Sequence, residues 1–225
     1  VRSILSTGLV PKLLDSLALG DYLQYHTVHA PKTLIKDIFQ LPAAHLAIYE
    51  KGQLTLSRYW APEVNNKYSK LNRADALETF RGLFYDAVEQ RMLSDVPIAA
   101  FLSGGIDSSA VVAAMAQRSS KTIDAFSIGF SEEDYDESAY AKMVSKQFSC
   151  KHHLFQLRAD DFLNELPDSF QSVDHPSSDG INVYLISKLI AKQGIKVALS
   201  GLGGDELFGG YAVFGQMQRL NQFNS

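Results

Sequence analysis

An apolar run from Val96 to Leu102 breaks into Ser103-Gly104-Gly105-Ile106-Asp107-Ser108-Ser109 and restarts as a helix-forming stretch, Ala110 to Arg118. This strand–loop–helix order constrains the chain more than any other feature. Two adjacent glycines let backbone N–H groups approach an anion without Cβ obstruction, and the helix that follows adds the partial positive charge of its N-terminus. The geometry suits phosphate. Ser103, Ser108 and Ser109 carry hydroxyls able to donate to the same oxygens, and Asp107 places a hard carboxylate where the Mg²⁺ of a nucleotide would sit. The bland alternative is a serine-rich helix cap after a buried strand.

The residue order also says which phosphates such a loop holds. No Gly-Lys pair occurs in the chain, so the lysine with which a Gly-x-x-x-x-Gly-Lys-Ser/Thr loop grips β and γ phosphates is missing. The Ser-Gly-Gly-x-Asp-Ser-Ser arrangement instead resembles the loop of the N-type ATP pyrophosphatases, which hold the leaving pyrophosphate while an acceptor attacks the α phosphate. A second block follows another short apolar run, Ile195 to Leu199. It reads Ser200-Gly201-Leu202-Gly203-Gly204-Asp205-Glu206-Leu207-Phe208-Gly209-Gly210-Tyr211. Ligands of open parallel α/β sheets bind beyond the carboxyl ends of the strands, so the two loops are expected to face one crevice, with Asp205 a second Mg²⁺ ligand opposite Asp107. Taken alone, the second loop reads equally as an ordinary flexible turn.

Together the two loops, with Arg91 to Pro97 before the first and Tyr135 to Ala141 between them, resemble the asparagine synthase family of glutamine-dependent amidotransferases. The resemblance implies a domain that activates a carboxylate with ATP, releases pyrophosphate and leaves an acyl-adenylate for ammonia to attack. It implies nucleotide contacts from Leu102, Ile128, Ser200 and Gly201, and pyrophosphate contacts from Ser103, Gly104, Gly105, Ile106, Asp107 and Ser108, with Ser109 beside them. It further implies Mg²⁺ at Asp107 and Asp205, with Asp205 and Glu206 as candidate catalytic residues. The implied partners are a small carboxylate substrate, ammonia from glutamine supplied by a glutaminase domain, and a second copy of the chain as a homodimer.

One position departs from the asparagine-forming pattern. Family members that make asparagine resemble Ser-Gly-Glu-Gly-x-Asp-Glu in the second loop, and here the glutamate position is Leu202. Leucine accepts neither a proton nor a hydrogen bond, so a general base must come from elsewhere or be dispensable. Two readings stand side by side. Either the acceptor is not aspartate, or Leu202 only packs and Glu206 or a downstream residue compensates. Intramolecular amide closure of the β-lactam synthetase kind, and a nucleotide-binding fragment without turnover, are the alternative functions.

Composition fits an enzyme rather than a binder of nucleic acid. Hydrophobic residues make up 46% and charged residues 20% of the 225, enough apolar material to close a core. The net charge of −4 leaves no basic footprint for nucleic acid. No apolar run approaches the roughly 18 residues of a membrane span, and no signal-type N-terminus is visible. One cysteine excludes a disulfide framework and fits a cytoplasmic setting.

The pattern divides the chain near residue 65, into 1–65 and 70–225. Ala43 to Tyr49 and Gln53 to Trp60 read as strands joined by Glu50-Lys51-Gly52. A helix is expected from about Ala74 to Met92, capped by Asn72, with Leu77, Phe80, Phe84, Ala87 and Val88 on one face. From Val96 strand and helix alternate: Val96 to Leu102, a helix to Arg118, Thr122 to Phe130, a helix from about Glu137, His152 to Leu157, helical segments including Ile181 to Ala191, then Ile195 to Leu199. That alternation predicts an α/β fold with a doubly wound parallel sheet, of the ATP pyrophosphatase kind if the resemblance holds.

Residues 1–65 resemble the closing, β-rich part of the family's N-terminal-nucleophile glutaminase domain, on Leu41 to His45 and Tyr59-Trp60. That domain uses an N-terminal cysteine. This chain begins at Val1 and its cysteine is Cys150, so an internal fragment is expected, lacking the glutaminase nucleophile, ending soon after the second loop and inactive alone. Cys150 reads as a buried or edge thiol. His152 and His153 are adjacent on a strand and point to opposite faces, which precludes a shared metal. The acidic run Glu132 to Glu137 suits either a crevice rim or a helix N-terminus. Asp174-His175-Pro176 and Asp179-Gly180 suit either the site or turn and cap chemistry.

Overall fold

The structure, a computed structural model, describes residues 1–63, 66–131, 136–176 and 180–223. Glu132 to Tyr135 of the acidic run, and the expected cap Asp179, lie outside the described residues. The chain folds into two compact units, Val1–Lys70 with Glu165–Leu185, and Leu71–Asn164 with Ile186–Ser225. The first unit thus takes up a later segment that no composition shift announces.

In the first unit, α1 (Arg2–Leu5) and α2 (Ser16–Tyr25) precede an antiparallel hairpin of β1 (His45–Glu50) and β2 (Gln53–Arg58). Asp15 starts α2 by accepting from the backbone N–H groups of Leu17 and Ala18, both at 2.9 Å. Glu50 pairs with Gln53, so the turn is Lys51-Gly52 alone, with φ of 52° and 80°. Positive φ at both positions matches the twist of the flanking strands, and the ladder runs one residue further than the sequence indicates.

The second unit carries the strand–helix alternation. Its elements are α3 (Arg73–Arg91), β3 (Ile98–Phe101), α4 (Ile106–Arg118), β4 (Asp124–Phe130), α5 (Ser138–Gln147), β5 (Lys151–Leu157), β6 (Val197–Leu199), α8 (Gly204–Phe208) and α9 (Ala212–Phe223). Two helices, α6 (Ala159–Ser172) and α7 (Gly180–Lys192), run from one unit into the other. The four strands form one parallel sheet in the order β5-β4-β3-β6. One face is covered by Val88 of α3, Val111, Val112 and Met115 of α4 and Ala141 of α5, packed on Ala100, Leu102 and Ala125. The other face packs Ala99 and Phe126 against Ile186 and Ile190 of α7. Helices on both faces of a parallel sheet make the fold α/β and doubly wound. Phe126, Leu102, Met115 and Val112 are fully buried, each contributing about 1.5–3 kcal/mol of transfer free energy.

Local chemistry sets the element ends. Asn72 caps α3, its Oδ1 accepting from the Asp75 N–H at 3.0 Å. The ladder of β3 begins at Ile98 rather than Val96, because Pro97 has no N–H to give. The expected apolar face of α3 is only partly a core face. Val88 is buried and Phe84 half-buried, but Leu77, Phe80 and Ala87 are exposed. Cys150 is half-buried with its thiol pushed up by burial, which keeps it protonated and inert. Among the described residues no helix is long and apolar enough to cross a membrane.

Candidate functional site

From β3 the chain winds through α4 to β4 and on to β5, whereas β6 lies on the opposite side of β3. The winding direction therefore switches between β3 and β6, the place where an open α/β sheet forms a crevice. Both glycine-rich loops leave the carboxyl ends of these two strands.

The first loop is closed by its own polar groups. The Ser103 N–H donates to Ser108 Oγ at 3.3 Å, the two hydroxyl oxygens lie 2.9 Å apart, and Ser108 Oγ donates to the Gly105 carbonyl at 3.2 Å. The Gly105 N–H donates to Ser103 Oγ at 3.2 Å. The Ser108 hydroxyl is thus spent on shaping the loop. Gly105 stands at the N-cap of α4 with no side-chain capping bond, which leaves the first-turn N–H groups to other acceptors. Gly104 has φ 95°, and a Cβ there would stand 2.7 Å from the Tyr140 Cβ and the Ala141 nitrogen of α5. Only glycine satisfies both conditions.

The second loop lies against the first. A Cβ on Gly201 would stand 2.6 Å from the Ser108 nitrogen, and one on Gly204 would stand 2.2 Å from Asp107 Oδ2. A Cβ on Gly210 would meet Asp205 Oδ1 at 1.8 Å. Each carboxylate therefore sits in a glycine cradle, Asp107 against Gly204 and Asp205 against Gly210. Gly203, with φ 101°, turns the loop into α8.

The loops and α3 border an open cavity of about 1390 Å³. Its polar wall comes from Ser103, Gly105, Asp107, Ser200 and Asp205, and its apolar wall from Leu77, Phe80, Leu83, Leu202 and Phe208. Phe80 and Phe208 meet edge-to-face with centroids 5.2 Å apart. Leu202 is 82% exposed, so its side chain faces open space instead of packing. Two carboxylates suit Mg²⁺, which takes one or two of them and completes its shell with phosphate oxygens and water. Among the described residues no group of three or more His, Cys, Asp or Glu side chains forms a metal site without such help.

Glu206 points elsewhere. It is exposed, is not part of the cavity wall, and accepts from the Tyr211 hydroxyl at 2.8 Å. That bond is the main reason its carboxyl lies below the usual range. The Tyr211 hydroxyl is pushed up, first by Glu206 and further by the negative charges of Asp205 and Asp107.

Of the other sequence candidates, Ser103, Gly105, Ile106, Asp107, Ser108, Ser200, Gly201 and Asp205 line the cavity, while Leu102, Gly104, Ser109 and Ile128 do not. The Leu102 side chain is 1% exposed in the core and its N–H goes to the Phe126 carbonyl at 2.8 Å. Ser109 Oγ is buried without a hydrogen-bond partner among the described residues, and Ile128 is half-buried within β4. The wall supplied by α3, including Arg73, is absent from the sequence candidates. Its apolar period is the only signal, and a core face produces the same one.

The other weighed residues have structural partners. Asp136 accepts from the Ser138 N–H at 3.1 Å and hydroxyl at 2.9 Å, which starts α5 and holds its carboxyl below the usual range. His152 bonds Ser127 at 2.8 Å and His153 bonds Asp124 at 2.6 Å. Asp174 accepts from the Arg2 N–H at 2.7 Å within the first unit.

The sequence profile of the asparagine synthase family matches residues 79–225. A Methanocaldococcus jannaschii protein provisionally named asparagine synthetase [glutamine-hydrolyzing] 2 is 37% identical over 84% of this chain and 37% of its own length. Asparagine synthetase [glutamine-hydrolyzing] 1 of Bacillus subtilis is 32% identical over 93% of this chain and 33% of its own length. The chain spans about a third of the length of these curated relatives. Among solved structures, an NH3-dependent NAD synthetase from Campylobacter jejuni is 15% identical over 60% of each chain, with a TM-score of 0.42.

Proposed function

This chain belongs to the asparagine synthase family, and from that premise we propose that its second unit activates a carboxylate with ATP for amide formation. A carboxylate oxygen attacks the α phosphorus, the bond to the β-phosphate oxygen breaks, and pyrophosphate leaves. Ammonia derived from glutamine then attacks the acyl carbon, a proton is lost, and AMP departs with the former carboxylate oxygen. The observation that carries this reading is the seating of Gly204 against Asp107, which brings two glycine loops from different strands to one anion-accepting helix terminus.

In this reading the α4 N-terminus, the Gly105 and Ile106 backbone and Ser103 hold the leaving pyrophosphate. Leu102 and Ser108 act behind them, as the frame of the loop. Asp107 and Asp205 hold Mg²⁺, which when bound neutralises charge on the polyphosphate. Ser200 and Gly201 border the nucleotide. Leu202 supplies no base, and its exposed side chain in the cavity favours an acceptor other than aspartate.

Full-length protein incubated with ATP, MgCl2 and a panel of carboxylates tests the proposal. Ammonia-dependent AMP is the expected product. AMP without ammonia supports intramolecular closure instead, and nucleotide binding without AMP supports a domain that does not turn over.

A further inference from the structure

The peptide joining Leu102 to Ser103 is the hinge between the buried strand and the phosphate loop, and a line of hydrogen bonds runs through it. Ser127 is 2% exposed, and its hydroxyl donates to the Leu102 carbonyl. A hydroxyl has one proton, so the 2.8 Å contact between Ser127 Oγ and His152 Nε2 must be a bond that the imidazole donates. On the other edge of the same planar peptide, the Ser103 N–H donates to Ser108 Oγ, which donates to the Gly105 carbonyl. Every donor points the same way, an arrangement in which successive bonds reinforce one another. Because the peptide is planar, fixing the carbonyl of Leu102 fixes the direction of the Ser103 N–H.

We propose that Ser127 and His152 are positioning residues that hold the phosphate loop in its anion-accepting shape through the Leu102–Ser103 peptide. They reach no ligand themselves. They lie under the loop on β4 and β5, and neither lines the cavity. Burial, then the charges of Lys142 and His153, keep the His152 imidazole neutral at pH 7. The bond fixes its proton on Nε2, and a protonated ring would still donate from that atom, so the relay is not a pH switch.

The inference rests on the reading of this loop as a pyrophosphate site, and binding of inorganic pyrophosphate with MgCl2 to the full-length protein separates the two. Wild-type protein is expected to bind. Ser127→Ala and His152→Leu should each weaken binding about fivefold to tenfold, the scale of one neutral hydrogen bond. The double variant should be no weaker than Ser127→Ala, since both changes cut one line. His152→Gln, whose amide can donate from a similar place, should bind within about twofold of wild type. Wild-type binding that is unchanged in Ser127→Ala and His152→Leu, or a His152→Gln protein as weak as His152→Leu, overturns the relay and leaves the site reading intact. Failure of the wild type to bind pyrophosphate overturns both.

Discussion

Gly204 lies so close to the Asp107 carboxylate that a methyl group on it would stand 2.2 Å from Oδ2. Two loops from different strands thereby meet. Gly204→Ala must turn the Asp107 carboxylate out of its place. We expect Mg²⁺-dependent ATP binding to weaken more than about tenfold, the cost of losing one charge-assisted contact. Gly215→Ala in α9, where a Cβ meets none of the described residues within 4 Å, is the matched control and should leave binding unchanged. Titration calorimetry of both variants checks this.

Asp107 and Asp205 share the cavity, whereas Asp136 is engaged in starting α5. Asp107→Asn and Asp205→Asn should each reduce Mg²⁺-dependent pyrophosphate binding by at least about tenfold while the fold persists. Asp136→Ala should show the reverse pattern, a lower melting temperature by the loss of its bonds to Ser138 at the start of α5, with far less effect on binding. Equal, mild losses from all three would remove the assignment of the metal ligands.

Leu202→Glu tests the acceptor. A new carboxylate in the cavity would repel a carboxylate substrate and compete for Mg²⁺, so activity on the native acceptor should fall. General-base catalysis is typically worth about 10² to 10⁴ in rate. Were the loop an asparagine-forming site that lacks only its base, the same substitution would raise aspartate-dependent AMP and asparagine formation. That gain, read by chromatography of the products, would contradict the proposed acceptor difference.

The pH dependence of stability carries the signature of His152. Its imidazole is held below its ordinary value of about 6.5 by burial, then by Lys142 and His153. Above that value folded and unfolded chains are both neutral there. As the pH falls through it the unfolded chain takes up the proton first, so stability drops until the folded-state value is passed. Melting temperatures between pH 7 and pH 5 should fall less steeply in His152→Gln than in the wild type. Parallel curves would contradict the shift.

Much of the second unit is legible in the sequence. The parallel sheet followed from strand–helix alternation, both loops from their glycines, and the start of α3 from Asn72, because each depends on local chemistry. What failed to show depends on tertiary placement. The apolar period of α3 says that a face avoids water, not whether Leu77 and Phe80 meet a core or a cavity. Five glycines hid the short helix α8 behind an apparent turn. Glu206 follows Asp205 in sequence, yet one helical step turns it out to Tyr211. Ser127 carries no sequence signal and His152 stands out only as a histidine beside another, since their pairing depends on β4 lying against β5.

The most direct test of the account follows a single oxygen. Full-length protein is given ATP, MgCl2, ammonia and a panel of carboxylic acids labelled with ¹⁸O in the carboxylate, and the nucleotide product is examined by mass spectrometry. Activation at the α phosphorus predicts AMP carrying one ¹⁸O atom for each amide formed, with unlabelled pyrophosphate released. Amide formation accompanied by ADP and labelled orthophosphate would contradict it, because the oxygen would then have left with the γ phosphate.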